Sequence, residues 1–452
     1  MKRTRAFAEV HVPRARPAAA GLQRPVARGS CGYRALVLLL AVWGQTTSAQ
    51  PLPATAEKQP ATEGAFSITT EDQFLFRAER RGRFLVIQLR GAHRVLSTST
   101  WNGGLSDQVT HLVNFQSMEA RGDSPQLRER LALGSRGYHR AIAAELNLSP
   151  KSLALLGTAA HMGLGAHVAR SFRGLRVDAF VTAGVHENAL RAGDPARWVQ
   201  TAAGYERVPE QGTINVIVVV NQPLASGALA KAAAVLTEAK AAALSELAVG
   251  SRYSAHLATG TGTDQYAIAT PIEPRKLALE SASQHLKLGE LIGDAVRSAT
   301  LEALRLQNGL APSATGDAMH ALGRFGLTTE RIQRDLSLHL KGASLEIARQ
   351  NLRALLHEPR LVAAAFAYAA VLDRLQYGTL PPSSAREVLR DQAATVATAL
   401  ALAPGRWHEL WQRLAPEEDD AVALFVQALA LGFEAKWSPP PRRDPVAVRR
   451  RL

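Results

Sequence analysis

Between residues 74 and 98 apolar and polar positions come in short bursts. Phe74–Arg77 and Phe84–Leu89 predict two strands joined by a turn at Arg81-Gly82, and Arg94–Ser97 predicts a third. Trp101-Asn-Gly-Gly104 then reads as a turn with two residues free to take positive φ. Ser124 is placed to cap a helix through about residue 132, and Ser149-Pro150 to open another running toward Gly157. Strand-like runs follow at Ala166–Phe172 and Val177–Thr182. A third, Ile214–Val220, is continuously apolar and β-branched apart from Asn215, the pattern of a strand buried on both faces. An Ala-rich helix is expected from about Ser226 to Leu247, with side chains small enough to lie close against a sheet. The glycine-rich segment Ala258–Asp264 leads into a short strand at Tyr266–Ala269.

Beyond residue 311 the pattern changes to an almost wholly helical one. Helices are expected over 328–340, 343–357, 360–376, 383–403 and 416–433. Ser344, Ser383 or Ser384 and the acidic 417–420 cluster favour their starts, and Gly342, Pro359, Gly378 and Pro404-Gly405 separate them. The expected architecture is an α/β (or α+β) core domain with a mixed sheet, residues 71–310, followed by an all-α domain, residues 311–438.

Composition alters this picture at the two ends. The chain of 452 residues carries a formal charge of +14. Residues 1–50 hold +7 of it and the last fourteen residues +4, which leaves about +3 for everything between. No basic stripe with interleaved aromatics exists, so nucleic acid is not an expected partner. The first fifty residues read instead as a signal peptide with a long basic n-region, an apolar core at Ala35–Trp43 and small residues at Thr47-Ser48-Ala49. That leader predicts export to the periplasm. Residues 51–70 read as a linker and 439–452 as a basic tail. The single cysteine, Cys31, falls in the leader, so the mature chain is expected to have no disulfide and no thiolate chemistry.

Four glycine-bearing segments are candidates for ligand loops: Trp101–Gly104, Thr182–Val185 with Asn188, Gly212–Asn215, and Thr259–Asp264. Their hydroxyls, amides and free N–H groups suit the oxygens of an amide, phosphate or carboxylate. Gly163-Leu-Gly165 lacks the acidic residue of a dinucleotide fingerprint. His161 and His167 would need a third partner, Asp178 or His186, to hold a metal, and hydrogen-bonded structural histidines are the expectation; no cofactor is expected. Glu238 lies within the Ala-rich helix, either on its solvent face or placed for catalysis.

Taken together, Gly212–Leu224, Thr237–Leu244 and Ala258–Asp264 resemble the adenosylcobinamide amidohydrolase (CbiZ) family. Ser99–Gly104, Val181–Val185, Asn188–Asp194 and His285–Gly293 are similar to its other motifs, in order over about residues 80–310. The resemblance implies hydrolysis of the amide that joins a corrin propionamide to aminopropanol, in cobinamide or a complete cobamide. The alternative is an exported corrinoid-binding protein that has lost hydrolysis. Hydroxyl and carboxylate chemistry remain for the mechanism. Thr213, opening a buried strand, is similar in setting to the terminal Thr or Ser of ornithine acetyltransferases and certain aminopeptidases. It is expected to be the attacking group or to lie beside it, with Glu238 or His161 as base. Asn102, Gly103, Gly104, Thr182, Asn188, Asn215, Thr261, Thr263 and Asp264 are expected to hold the corrinoid. The helical domain is additional to the family core; a second copy or a membrane-associated partner is the contact it would make.

Overall fold

The computed structural model describes residues 69–72, 75–117, 133–196, 200–201, 204–205, 212–414 and 420–437. The expected leader, most of the linker, the Ser124 helix and the arginine tail lie outside the described residues.

One sheet runs in the order β1 (Thr69–Asp72), β2 (Phe76–Arg81), β3 (Phe84–Leu89), β6 (His111–Gln116), β7 (Leu153–Thr158), antiparallel until β6 and β7, which are parallel. The second runs β5 (Gly104–Ser106), β4 (His93–Ser97), β15 (Gln265–Pro271), β13 (Ile214–Val220), β9 (Leu175–Ala183), β8 (Ala166–Phe172); only β13 and β15 are parallel. Two small ribbons, β10 (Ala189–Leu190) with β14 (Gly260–Thr261) and β11 (Gln200–Thr201) with β12 (Gly204–Tyr205), lie outside the sheets.

Strand alternation assigns the layers. Ile217 and Val219 of β13 face the first sheet with Phe180, Ile87 and Leu112, while Val216, Val218 and Val220 face α2 (Ser226–Glu246) and α3 (Lys287–Asn308). Every residue of β13 is buried, as its continuous apolar run predicts. The outer face of the first sheet packs Phe84, Val86, Val113 and Phe115 against Ile142, Ala143 and Leu146 of α1 (Gly134–Glu145) and the turn after it. The core is thus helix, sheet, sheet, helix, with α2 lying close because Ala228, Ala232 and Ala239 face the sheet.

The helix expected from Ser149-Pro150 is not there. A single 3-10 turn at Pro150–Ser152 leads straight into β7, whose Leu153–Thr158 pairs in parallel with β6. The Leu-Ala-Leu-Leu run has high helix propensity, but a strand there is buried on both sides between β6 and the loop after β4, and tertiary burial overrides propensity.

From Pro312 on the described chain is helical: α4 (Pro312–Thr315), α5 (Ala318–Leu322), α6 (Thr329–His339), α7 (Gly342–Gln350), α8 (Leu352–Leu356), α9 (Pro359–Gln376), α10 (Pro382–Ala401), α11 (Trp407–Arg413) and α12 (Ala421–Trp437). Thr328 and Glu358 cap α6 and α9, each accepting the N–H three residues on. The helix expected over 343–357 divides at Asn351; α12 begins at Ala421, and the expected start at 416 lies outside the described residues. Helix α12 is apolar on all but the narrow stripe of Gln427 and Glu434, and packs against Tyr368 and α10. No helix among the described residues is long and apolar enough to cross a membrane.

Candidate functional site

Register brings the four glycine-bearing segments to one end of the second sheet. Ile214 pairs with Ala183 at the end of β9, Asn215 with Gln265 at the start of β15, and Ala267 with Ser97 at the end of β4. The loops after β4 and β9 and those before β13 and β15 therefore share that end.

Three of them meet around Thr213. Its hydroxyl donates to the Thr263 carbonyl at 2.7 Å and touches the Thr263 hydroxyl. Thr263 Oγ1 in turn donates to the Gly212 carbonyl at 2.9 Å, and Asn188 Nδ2 donates to the same oxygen at 2.8 Å. Thr213 is 4% exposed, whereas Thr263 is open to solvent, so the cluster meets water through the 262–263 turn.

Asp264 holds the turn together. Oδ1 accepts from the Ile214 N–H at 2.9 Å and from Thr261 Oγ1; Oδ2 accepts from the Thr261 N–H at 3.0 Å and from Lys240. With four donors its lone pairs are spent, so Asp264 is a structural keystone and not a base. Gly260 is required beside it, because a Cβ there would lie 2.4 Å from Asp264 Oδ2.

Asn215 and Thr182 lie one step inward, between the sheets. Asn114 donates to Thr182 Oγ1 at 2.8 Å, and Asn215 donates to Asn114 Oδ1 at 2.9 Å and to the Gly157 carbonyl at 3.0 Å. Asn215 is fully buried, and its Oδ1 has no partner among the described protein atoms. These two residues brace the floor beneath Thr213 and have no exposed surface to offer a ligand.

The other expected residues fall elsewhere. Asn102, at φ +58°, donates to the carbonyls of Pro150 and Leu153, pinning its loop along the edge of β7 that β6 leaves unpaired; Gly103 and Gly104 go with it. Glu238 is exposed and bonded to Gln284. Lys240, two residues on and so on another face of α2, is the one that reaches the cluster. His161 caps a 3-10 turn, its Nδ1 accepting from the Gly163 N–H and its own N–H donating to Gln307. It shares no hydrogen bond with Thr213. His167 is bonded to Asp178 at 2.9 Å and stacked on Phe180. Burial opposes ionisation of Asp178, but bonds from Arg176 and His167 outweigh it and hold the carboxyl below its ordinary range.

Sequence reasoning passed over Tyr253. Its hydroxyl donates to Asn188 Oδ1 at 2.7 Å, turning the amide nitrogen toward Gly212. Beside it a cavity of about 500 Å3 opens between the α/β core and the helical region, with Val185, His186, Ser251, Arg252, Asn308, His320 and Arg324 in its wall. Arg324 is nearly buried, forks onto Asp373 at 2.6 and 2.8 Å and donates to the Ala255 carbonyl. His320 bonds the Leu247 carbonyl, and His256 stacks on Tyr377. The helical region thereby clamps residues 247–256, which carry Tyr253. A second cavity, about 380 Å3, lies beside Asn221 and Pro271 at the opposite end of β13 and β15, away from Thr213.

In comparisons with known proteins, residues 67–312 match the sequence model of CbiZ, adenosylcobinamide amidohydrolase. The chain is 33% identical over 181 residues to the uncharacterized protein MJ1613 of Methanocaldococcus jannaschii, covering 38% of this chain and 70% of that one. Among solved structures, the PH0078 protein from Pyrococcus horikoshii OT3 aligns at 12% identity and a TM-score of 0.28, over 54% of this chain and 83% of that one. With its α/β core matched almost from end to end, the chain belongs to the adenosylcobinamide amidohydrolase family.

Proposed function

We propose that this protein hydrolyses the amide between a corrin side arm and aminopropanol, turning cobinamide or a cobamide into cobyric acid, and that it does so in the periplasm, as the leader in residues 1–50 suggests. The observation that carries the reaction is the meeting of a Thr hydroxyl with two neutral donors at the solvent-facing end of a sheet. Amide hydrolysis needs an attacking oxygen, donors for the oxyanion and a proton for the leaving amine. Thr213 is suited to attack. Asn188 and the exposed turn residues Gly262 and Thr263 are suited to receive the oxyanion and the peripheral amides of the ring.

The test is direct. Purified protein is incubated with cobinamide and with cobamides, each with and without the adenosyl ligand, and cobyric acid is sought by mass. Thr213→Ala should lower the rate by at least about 10³-fold. Binding without product would favour the corrinoid-binding alternative, and hydrolysis of simple amides in place of corrinoids would remove the substrate assignment.

A further inference from the structure

We infer that the chain cuts its own backbone between Gly212 and Thr213, so that the working protein is two tightly packed pieces, the second beginning with Thr213. The peptide bond in question is already arranged for it. The Gly212 carbonyl oxygen receives two side-chain donors, Asn188 Nδ2 at 2.8 Å and Thr263 Oγ1 at 2.9 Å, which is the arrangement that stabilises negative charge developing on that oxygen. Tyr253 fixes the amide of Asn188 in this orientation. Gly212 itself sits at φ +132°, and a Cβ there would lie 3.0 Å from Asn188 Cβ and 3.1 Å from the Gly184 carbonyl oxygen. The residue before the bond must therefore be glycine, on both conformational and steric grounds. The Thr213 hydroxyl, carried by the very next residue, is in intramolecular reach of that carbonyl carbon.

The step balances with water as the only co-reactant. Thr213 Oγ adds to the Gly212 carbonyl carbon and the C–N bond breaks. The hydroxyl proton passes to the departing Thr213 nitrogen, leaving an ester between Gly212 and Thr213 Oγ. Water then hydrolyses the ester to a Gly212 carboxylate and a free Thr213 with both amine and hydroxyl. The amine answers a need the uncut chain leaves open. Among the described residues the Thr213 hydroxyl is bonded only to Thr263, with no His, Asp or Glu to activate it. A terminal Thr brings its own base. The new end would stay in place, since the Ile214 N–H is held by Asp264 and β13 is paired on both sides.

This inference rests on Thr213 as the attacking group but not on the corrinoid substrate. Mass measurement of the purified full-length protein should give two pieces meeting at Gly212 and Thr213, with an N-terminal sequence of Thr-Ile-Asn-Val on the second. Thr213→Val should stay whole and Thr213→Ser should still cut. Asn188→Ala should slow cutting on the order of 10²-fold, the usual cost of one oxyanion donor. Hydroxylamine should trap the ester as a hydroxamate at Gly212. A wild-type chain that stays whole overturns the inference, and so does the same cut in Thr213→Val, which would mark a foreign protease. Cut protein that leaves cobinamide intact would refute the substrate and spare the self-cleavage; uncut protein that yields cobyric acid would do the reverse.

Discussion

Replacing Asp264 by Ala removes the one group to which the loop before β15, the start of β13 and α2 are all tied. Lys240 and Asp264 are 12% and 15% exposed, so the pair is shielded from water. Truncating one partner of such a pair costs about 3–5 kcal/mol, because the other charge is left without compensation. The Ile214 and Thr261 N–H groups lose their acceptor as well, at about 1–3 kcal/mol each where water cannot take over. Asp264 retains some solvent contact, so part of this is recovered and about 4 kcal/mol is the expected total. That is close to a thousandfold shift in the folding equilibrium. Urea unfolding, followed in parallel by circular dichroism and fluorescence to check that one transition is seen, measures it. The paired change Lys240→Met with Asp264→Leu should regain the part of the loss that comes from the unpaired Lys240, since a well-packed apolar pair replaces a shielded ion pair at little cost. Cobinamide hydrolysis should stay low in both, because neither restores the anchors of Ile214 and Thr261. A loss under about 1 kcal/mol for Asp264→Ala, or a double variant no more stable than the single one, would refute the keystone role.

The remaining expectations concern the surroundings of the site. The carboxyl of Asp178 is held below its ordinary value, so its stabilisation is complete above about pH 4 and is lost as pH falls toward the lowered value. Asp178→Asn should therefore flatten the acid limb of the melting-temperature profile relative to wild type; an unchanged slope would count against the Arg176–Asp178–His167 bonds. Arg324→Ala should leave Asp373 unpaired at a cost of about 3–5 kcal/mol and release the Ala255 carbonyl. Faster amide exchange in residues 249–256 and a raised KM with a smaller change in kcat are the expected outcome, and unaltered exchange there would argue against the clamp.

Much of the fold is legible in the sequence. Strands β8, β9 and β13 and helix α2 stand within two residues of where period and turn chemistry put them. β7 was hidden because Leu-Ala-Leu-Leu favours a helix by itself, and β6, with Asn114 and Gln116 on its inner face, shows no apolar alternation. Helix α3 escaped because its opening Leu286 supplies no side-chain cap. At the site the glycine loops announced themselves, but which charged residue of α2 faces inward did not. The spacing held a clue. Leu229, Ala232, Leu236 and Ala243 trace the buried stripe of α2, and Lys240 falls on it while Glu238 does not. The bond between Tyr253 and Asn188 joins residues 65 apart in sequence and has no local signature.

The Asn114, Thr182 and Asn215 trio has a bearing on how the two sheets find each other. Two hydrocarbon faces can settle against one another in several alignments of similar energy, since apolar attraction has no direction. Amides and hydroxyls deprived of water cannot, for every misaligned setting strands a polar group in oil. These three side chains thus act as a key that fits at one offset only. The offset they select seats the Gly157 carbonyl of β7 on Asn215, two residues from Thr213, and so ties the first sheet to the strand that carries the site.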